Sequence, residues 1–374
     1  MRIAFIGQKG IPASASSRAG GVERHVEGLA LRLAERGHHV TVYARPYMNP
    51  GRMRRWKGVN IVTLPTIERK NFDTIFHTFL ATIHVLFQRV DVIHYHSVGP
   101  STLAWMPRIF KPKSRIVATF HARDRFHEKW RWFARAYLVF GEWAICNFPH
   151  VTIAVSHDLQ IYCQKMHGRN AVHIPSAVSI PSTKIGNDMI DELGLETNGY
   201  FLMLGRLIPV KAFDDAIEAF RDIKTKKKLL LVGDVSFDSL PYKMKLETLS
   251  HKDERVVLMG HRKGKELEQL IAHCYAMIHP ARSEGLSIAV LEAMSHGKLV
   301  IMSNIPGNRE LIDHSGIAYP VGNVKALQDT IEWVLSDPVL THLRGERAKT
   351  IVKELYSWER LVKRTEAVYR NPLV

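Results

Sequence analysis

The alternation of short β-branched segments with helix-length amphipathic segments is the feature that most restricts the fold of this 374-residue chain. Arg2–Gly7 has the pattern of a buried strand, and Val22–Glu35 places apolar residues at helical spacing along one face. Further strands are predicted at His39–Ala44, Val59–Leu64, Asp91–His94, Arg115–Phe120 and Val151–Val155. This alternation indicates an α/β fold with a parallel, doubly wound sheet.

A Pro- and Ser-rich segment, His173–Lys184, is interpreted as a linker, because a second alternation starts after it. In this second part, strands are predicted at Tyr200–Leu204, Lys228–Val232, Arg255–Met259, Ala276–His279 and Leu299–Met302, and helices at Phe213–Arg221, Lys265–Cys274, Ile288–His296 and Trp358–Tyr369. The length and an ordinary composition, 46% hydrophobic and 24% charged, fit two domains. We therefore expect units at residues 1–178 and 186–355, with a ligand in a cleft between their sheets.

The positive charge is concentrated in one half of the chain. The formal net charge is +16, and residues 1–190 hold 26 Lys+Arg against 11 Asp+Glu, whereas residues 191–374 hold 26 against 25. Such asymmetry favours an anionic partner for the first half, either a nucleic acid or an acidic membrane surface.

The cysteines and the apolar stretches restrict the cellular setting. Cys146, Cys163 and Cys274 form neither a disulfide framework nor a CxxC pair, which fits a reducing cytosol. The N-terminus lacks the apolar length of a signal peptide, and polar residues interrupt the apolar stretches 72–87 and 137–155. We expect a protein that is soluble or attached to a membrane only at its surface.

A glycine-rich loop follows the first predicted strand. It starts at Gly7 and reaches Gly20-Gly21 just before the first helix, where backbone N–H groups and the helix N-terminus favour an anion. The loop is too long for the dinucleotide motif GxGxxG, and Tyr43-Ala44-Arg45 stands where an acidic residue would be needed. An NAD enzyme is therefore disfavoured, and a flexible connector is the alternative.

Two further motifs place charged residues after predicted strands. Arg206 and Lys211 can grip a diphosphate, since Arg offers a planar fork and Lys a point charge, although a solvated pair on a loop is the alternative. Glu284 and Glu292 flank the Gly285–Ile288 turn, whose N–H groups can receive phosphate oxygens while a carboxylate accepts hydrogen bonds from vicinal sugar hydroxyls. The apolar neighbours of Glu292 disfavour a plain surface position.

Taken in order, these motifs resemble family 4 of the retaining nucleotide-sugar glycosyltransferases, which have the GT-B fold of two Rossmann-like domains facing across a cleft. The matching positions are Gly7, Gly20-Gly21-Val22-Glu23, Thr119-Phe120-His121, Gly205-Arg206, Lys211, Gly233-Asp234, Glu284-Gly285, Glu292-Ala293-Met294 and Gly297. The resemblance covers almost the whole chain, and the tract 305–312 is also similar to bacterial members. Ala212 departs from it, because many members have Gly after the lysine.

The resemblance implies a role for each matching residue. The implied catalytic residues are His121, which faces the donor sugar and the acceptor, Arg206 and Lys211, which neutralise the leaving diphosphate, and Glu284. The implied donor-binding residues are Gly20, Gly21, Gly260, His261, Arg262, Gly285, Leu286, Ser287, Ile288 and Glu292. Glu292 binds the ribose hydroxyls in this scheme, and the segment 260–262 contacts the base. The helix at 356–370 is implied to pack back on the N-terminal domain.

The resemblance also implies retention at the anomeric carbon, by front-face attack in which the departing phosphate takes the acceptor proton. Fixed cations and helix-end N–H groups can stabilise the charge that develops on the diphosphate. The sequence contains no Asp-x-Asp motif, so we expect no cofactor and no essential metal. His94 and His96 share one face of a predicted strand, but no third metal ligand is evident, and we favour a polar strand end near the acceptor.

Basic residues interleaved with aromatic ones mark the N-terminal half. Arg54, Arg55 and Lys57 form one group, and Lys129, Trp130 and Arg131 belong to another. Both groups suit an anionic lipid surface, while nucleic-acid binding is the alternative without a recognised motif.

We therefore expect a cytoplasmic hexosyltransferase, peripheral at the inner face of the cell membrane, that builds a cell-envelope polysaccharide or glycolipid. Its partners would be a nucleotide-diphosphate sugar, a lipid-linked or glycan acceptor and an anionic membrane surface, without nucleic acid. A sugar-nucleotide epimerase on the same fold and a non-catalytic basic nucleic-acid-binding protein are the alternatives.

Overall fold

The structure, a computed structural model, describes residues 1–16, 19–69, 72–123, 125, 132–181, 185–235 and 239–371. The chain divides into two units. Met1–Ser176 and the C-terminal segment from Trp358 form unit 1, and Ala177–Ser357 forms unit 2. Each unit is built on its own sheet of parallel strands with helices around it, which confirms the predicted α/β class.

The described part of unit 1 contains an eight-stranded sheet in the order β3-β4-β2-β1-β5-β6-β7-β8. Its pairs are parallel except for β3 and β4, which are antiparallel at one edge. The strands are β1 Arg2–Ile6, β2 His39–Ala44, β3 Arg55–Trp56, β4 Val59–Thr63, β5 Val92–His96, β6 Arg115–Phe120, β7 Val151–Ala154 and β8 Val172–His173. The helices before the linker are α1 Gly21–Glu35, α2 Phe72–Leu86, α3 Val98–Ser101, α4 Trp105–Phe110, α5 Trp132–Asn147 and α6 His157–His167.

The described part of unit 2 contains a six-stranded parallel sheet in the order β11-β10-β9-β12-β13-β14. Its strands are β9 Tyr200–Leu204, β10 Lys228–Val232, β11 Val256–Gly260, β12 Ala276–His279, β13 Val300–Ser303 and β14 Ile317–Tyr319. Its helices are α7 Asp188–Glu192, α8 Phe213–Arg221, α9 Leu240–Ser250, α10 Gly264–His273, α11 Ile288–Ser295, α12 Arg309–Asp313, α13 Val324–Ser336 and α14 Pro338–Leu355.

Burial on both faces explains why the strands of both sheets read as continuous apolar runs. In unit 2, β9 and β10 are almost entirely buried, and α8 covers them with Phe213, Ile217 and Phe220. In unit 1, β5 is buried along its whole length although it contains two histidines. This central strand begins at Val92 and continues through His96, whereas the sequence pattern predicted Asp91–His94, because polar residues in an interior strand weaken the apolar signal.

The last helix, α15 Trp358–Arg370, belongs to unit 1 and packs against α1. Gly28 of α1 leaves space for the indole of Trp358, and the guanidinium of Arg32 lies 4.5 Å from the centre of that ring. Glu366 accepts a hydrogen bond from Nε of Arg36 at 3.1 Å and lies 2.7 Å from Nε2 of His38. These contacts hold α15 on the outside of the first sheet.

Candidate functional site

The loops after four neighbouring strands of unit 2 lie at one edge of the sheet, because parallel strands all end on the same side. Backbone hydrogen bonds join these loops: the N–H of Leu207 donates to the carbonyl of Asp234 at 3.0 Å, and the N–H of Gly233 donates to the carbonyl of Gly260 at 2.9 Å. Gly233 lies so close to the carbonyl of Gly205 that a side chain there would overlap it. The edge therefore forms a continuous backbone surface.

Lys211 and Glu284 form an ion pair on this edge. Lys211 ends the short helical turn after β9, Glu284 precedes α11, and both side chains are more than four-fifths buried. Burial and the nearby Arg206 guanidinium lower the pKa of Lys211 to about 7, whereas the Glu284 carboxylate favours the charged form. Arg206 itself is exposed, so two cationic side chains and one carboxylate stand together at the strand ends.

His279, the last residue of β12, is a further neighbour of this pair that the sequence did not single out. Its Nε2 lies 3.5 Å from Oε1 of Glu284, and only 3% of its side chain is exposed. Burial, followed by the charge of Lys211, lowers the pKa of His279 well below its usual value, so the imidazole is neutral.

Arg282 fastens the two loops of the site to each other. Its N–H donates to the carbonyl of Val210 at 2.8 Å, and its guanidinium donates to the carbonyl of Pro209 at 3.1 Å and to Asp215 at 2.8 Å. Sequence analysis missed this role, since the contact spans 67 residues. The signal available in the sequence was the pair of acidic residues, Asp214 and Asp215, in the first turn of α8.

The turn Gly285–Ile288 leads into α11, whose first N–H groups are not used within the helix and favour an anion. Leu286 and Ser287 are buried, and Glu292 is half-buried one turn into the helix. The backbone of Gly307 packs directly against the start of this turn. A side chain at that position would overlap the carbonyl oxygens of Glu284 and Gly285. Glu284 and the N-terminus of α11 thus lie on the same loop.

The other donor-binding positions predicted in unit 2 lie at the end of β11 and on the loop that follows it. Gly260 has a left-handed backbone with φ of 68°, and His261 is exposed beside it. Arg262 is held by the elements on either side of it, since its Nε donates to the carbonyl of Met259 of β11 at 2.8 Å and its guanidinium pairs with Glu266 of α10.

The residue after Lys211 also has a left-handed backbone. Ala212 has φ of 51° and ψ of 44° at the start of α8. Glycine adopts this conformation without steric cost. That is the physical reason why a glycine is expected here and why Ala212 is a departure.

In unit 1, Glu23 organises the glycine-rich loop. Its Oε2 accepts a hydrogen bond from the N–H of Gly20 at 2.7 Å and its Oε1 accepts one from the N–H of Lys9 at 3.0 Å. Burial alone would raise the pKa of Glu23, but the charge of Lys9 and these two donors lower it overall. Gly20 and Gly21 therefore stand at the N-terminus of α1 on an anchored loop. The spacing of Glu23 from Gly20 is a capping-box signal that could have revealed this role.

His121 follows β6 and lies in a cluster of buried histidines. Its Nε2 is 3.0 Å from Nδ1 of His96, which stacks on His94 with 4.3 Å between ring centres. His25 of α1 contacts His121 edge to face, with 5.0 Å between ring centres. Burial lowers the pKa of all four imidazoles, so they are neutral at pH 7. The strand pattern placed His94 and His96 on one face, but it gave no sign of His25.

The membrane-binding residues predicted in unit 1 fall into two groups. Arg54, Arg55 and Lys57 are exposed at or beside the edge strand β3. Lys129, Trp130 and Arg131 lie outside the described residues. Among the described residues, no helix has the length and apolar character to span a membrane.

Exposed apolar side chains also concentrate on α2, α4 and α5. Large exposed residues on these helices, or directly after α2 in the case of Phe87, are Phe72, Ile75, Phe79, Phe87, Trp105, Ile109, Phe110, Val139, Phe140 and Trp143. The helices are neighbours, since α2 packs on α4 and Arg108 of α4 donates to the carbonyl of Phe148 at the end of α5. Exposed Arg89, Lys113 and Arg135 stand among them.

Two family models together match most of the chain. The model described as Glycosyltransferase Family 4 matches residues 19–180, and the model described as Glycosyl transferases group 1 matches residues 187–351. A glycosyltransferase of Methanocaldococcus jannaschii, itself uncharacterised, is 31% identical and covers 94% of both chains. The N-acetyl-alpha-D-glucosaminyl L-malate synthase of Bacillus anthracis is 25% identical and covers 92% of both.

Solved structures show the same fold. The sucrose-phosphate synthase of Thermosynechococcus elongatus has a TM-score of 0.85 at 20% identity and covers 99% of this chain and 98% of that one. The Anabaena protein HepE in complex with UDP-glucose has a TM-score of 0.80 at 19% identity and covers 98% of this chain and 99% of that one.

Proposed function

Because this chain belongs to the group 1 glycosyltransferases of family 4, we propose that it moves a hexose-type sugar from a nucleotide-diphosphate sugar to a lipid-linked or polysaccharide acceptor, with retention at the anomeric carbon. The observation that carries this proposal is the Lys211–Glu284 ion pair beside the N-terminus of α11, with Arg206 next to it. Glycosyl transfer releases a diphosphate, and this edge offers the positive charge that stabilises it.

In the proposed complex, Arg206 and Lys211 bind the diphosphate. The phosphate oxygens compete with Glu284 for the ammonium of Lys211, and their negative charge raises the pKa of that lysine from about 7. Glu284 is then available to accept hydrogen bonds from sugar hydroxyls. The departing phosphate takes the proton of the acceptor hydroxyl as the new glycosidic bond forms on the same face of the sugar.

The remaining donor contacts in this proposal are those that the family resemblance implies. Glu292 accepts hydrogen bonds from the ribose hydroxyls, the N–H groups of the Gly285–Ile288 turn receive phosphate oxygens, and the backbone at 260–262 meets the base. Gly20 and Gly21 contact phosphate, and His121 contacts the sugar or the acceptor. Since Arg206 and Lys211 supply the positive charge, we propose that no divalent metal is essential for transfer.

We further propose that unit 1 binds the acceptor at an anionic membrane surface, in the synthesis of a cell-envelope glycan on the cytoplasmic side. The exposed aromatic residues of α2, α4 and α5, with Arg89, Arg108 and Lys113 among them, match the apolar and charged layers of a lipid interface. Arg54, Arg55 and Lys57 add exposed positive charge.

The donor test is incubation of the full chain with UDP-, GDP- and dTDP-sugars. The name of the B. anthracis relative makes nucleotide-activated N-acetylglucosamine a first choice of sugar, and the Anabaena complex adds UDP-glucose. We expect release of one nucleoside diphosphate, lost in Glu292→Ala and kept in Glu332→Ala, an exposed glutamate of α13. Epimerised sugar without release would favour the epimerase alternative. Binding of RNA without binding of any donor would favour the nucleic-acid alternative.

The membrane test is flotation with vesicles that contain or lack anionic lipid. We expect recovery that depends on anionic lipid and decreases with salt. It should decrease in Arg54→Ala/Arg55→Ala/Lys57→Ala and in Ile109→Ser/Phe110→Ser, but not in Arg221→Ala of unit 2. Equal, salt-insensitive recovery on neutral vesicles would contradict the proposed surface.

A further inference from the structure

Three histidines of unit 1 bring their ring nitrogens together at the ends of β5 and β6. His25 lies on α1, His96 is the last residue of β5, and His121 directly follows β6. One nitrogen from each ring lies within 4.8 Å of a nitrogen from both other rings. These residues are separated by 25 to 96 positions in the sequence, so only the fold brings them together.

Two of these histidines keep a buried nitrogen that lacks a hydrogen-bond partner among the described residues. They are Nδ1 of His25 and Nε2 of His96, in side chains of residues that are only 4% and 0% exposed. A buried polar atom without a partner is uncommon in a folded protein and destabilises it. Two of them beside a third imidazole point to a bound group. An ion that accepts a lone pair from each ring replaces the hydrogen bond between Nδ1 of His96 and Nε2 of His121, because that bond uses one of the three lone pairs.

His94, the fourth histidine of the cluster, has no such nitrogen. Its Nδ1 lies 2.7 Å from the hydroxyl of Tyr369, and its Nε2 lies 2.7 Å from Oγ1 of Thr119. It therefore stacks on His96 and holds that ring in place, while both of its own nitrogens are occupied. His94 is therefore not a candidate ligand, unlike His25, His96 and His121.

We propose that His25, His96 and His121 form a binding site for a transition-metal ion of the Zn²⁺ type. Neutral imidazoles are good ligands for zinc, copper, nickel and cobalt, and poor ones for magnesium or calcium. Zinc–nitrogen bonds of about 2.1 Å place ligand atoms of a tetrahedral site about 3.4 Å apart, and the ring nitrogens here lie within 4.8 Å of one another. Three imidazole ligands leave the fourth position of such a site to water or an anionic oxygen.

The metal site does not rest on the proposed transfer, although the two share His121. The cations that bind the diphosphate in that proposal, Arg206 and Lys211, belong to unit 2, whereas all three ligands here belong to unit 1. A bound ion would occupy a nitrogen of His121 and would compete with any contact that His121 makes to a sugar. Metal binding is measured without a donor, so its failure and the failure of donor turnover are distinguishable.

The test uses the full chain, first stripped of metal with a chelator, and the metal alone as the probe. Co²⁺ is added to record ligand-field absorption, and Zn²⁺ affinity is measured by competition with a chromophoric chelator. We expect one equivalent of Co²⁺ with the intense visible bands of a four-coordinate site. His25→Gln, His96→Gln and His121→Gln should each weaken Zn²⁺ binding by at least about tenfold.

A control variant separates ligation from loss of structure. His39→Gln changes an exposed histidine of the same unit and should retain the site. His121 is half-buried, so its substitution tests ligation even if substitution of His25 or His96 lowers the melting temperature. The proposal is overturned if the wild type binds Zn²⁺ no more tightly than the triple glutamine variant, or if His121→Gln leaves the Co²⁺ spectrum unchanged.

Discussion

The strand-end edge of unit 2 holds an ion pair of Lys211 with Glu284 and a neighbouring arginine, although this unit lies in the part of the chain with almost no net charge. The corresponding edge of unit 1 holds neutral histidines, although the first half of the chain carries an excess of 15 positive charges. Many lysines and arginines of unit 1 are instead at exposed positions. The comparison teaches that net charge guided the proposal of a docking surface, whereas burial and pairing of charged groups guided the proposal of a reacting site.

The largest effect is expected when a cationic side chain is removed from unit 2, and its absence would contradict the comparison. Lys211→Ala should lower donor turnover roughly 10²–10³-fold, because it removes a fixed charge from the diphosphate. Steady-state release of nucleoside diphosphate measures the change. Arg221→Ala, an exposed arginine on the neighbouring helix α8, should leave turnover unaffected. A Lys211→Ala enzyme with full turnover would show that the charged edge is not the reacting site.

The second prediction concerns the backbone that supports the edge. Gly307→Ala should lower the free energy of unfolding by about 1–3 kcal/mol, because the new methyl group overlaps the carbonyl oxygens of Glu284 and Gly285 and neither can move freely. Denaturant titration measures the loss. Gly51→Ala is the matched control, since nothing lies within 4 Å of that position. Equal stability of the two variants would mean that the loop is looser than described.

The third prediction concerns Glu23, the buried carboxylate of unit 1. Glu23→Gln leaves one backbone N–H without an acceptor and should lower the free energy of unfolding by roughly 1–3 kcal/mol. Folding lowers the pKa of Glu23, so the charged carboxylate stabilises the folded protein at any pH above the pKa of the unfolded state. This stabilisation is lost as the pH falls through the pKa of the folded state. The variant should therefore lose less stability on acidification. Glu35→Gln, at the exposed end of α1, should match the wild type at every pH.

The smallest effect is the pH dependence of donor binding. Lys211 has a pKa of about 7 in the free protein, and the diphosphate favours its charged form. Donor affinity should be constant below pH 7 and should weaken by up to about tenfold per unit above it. Lys211→Arg should flatten this profile, because arginine keeps its charge. A wild-type profile that is already flat up to pH 9 would contradict the role of burial at Lys211.

The sequence predicted the elements whose signal is local. Phe213–Arg221 was predicted with the bounds that the structure has, because its apolar residues recur at helical spacing. The glycine and charge motifs at 205–211 and 284–292 were found because each follows a strand at short distance. Neither α13 nor α14 was predicted from the sequence.

What could not be predicted depends on contacts between distant parts of the chain. Arg282 contacts Asp215 only because β12 pairs with β9, and His25 reaches His121 only because α1 packs beside the ends of β5 and β6. No spacing rule connects residues so far apart. Arg282 and the histidine cluster therefore became visible only from the structure.

The most direct test of the account measures donor affinity and vesicle binding in the same two variants. We predict that Lys211→Ala loses at least about tenfold in affinity for the nucleotide sugar while its recovery with anionic vesicles is unchanged. Arg54→Ala/Arg55→Ala/Lys57→Ala should show the reverse, with intact donor affinity and reduced vesicle recovery. If both variants lose donor affinity and vesicle binding together, or if neither property changes, the two units do not divide charge between a reacting site and a docking surface.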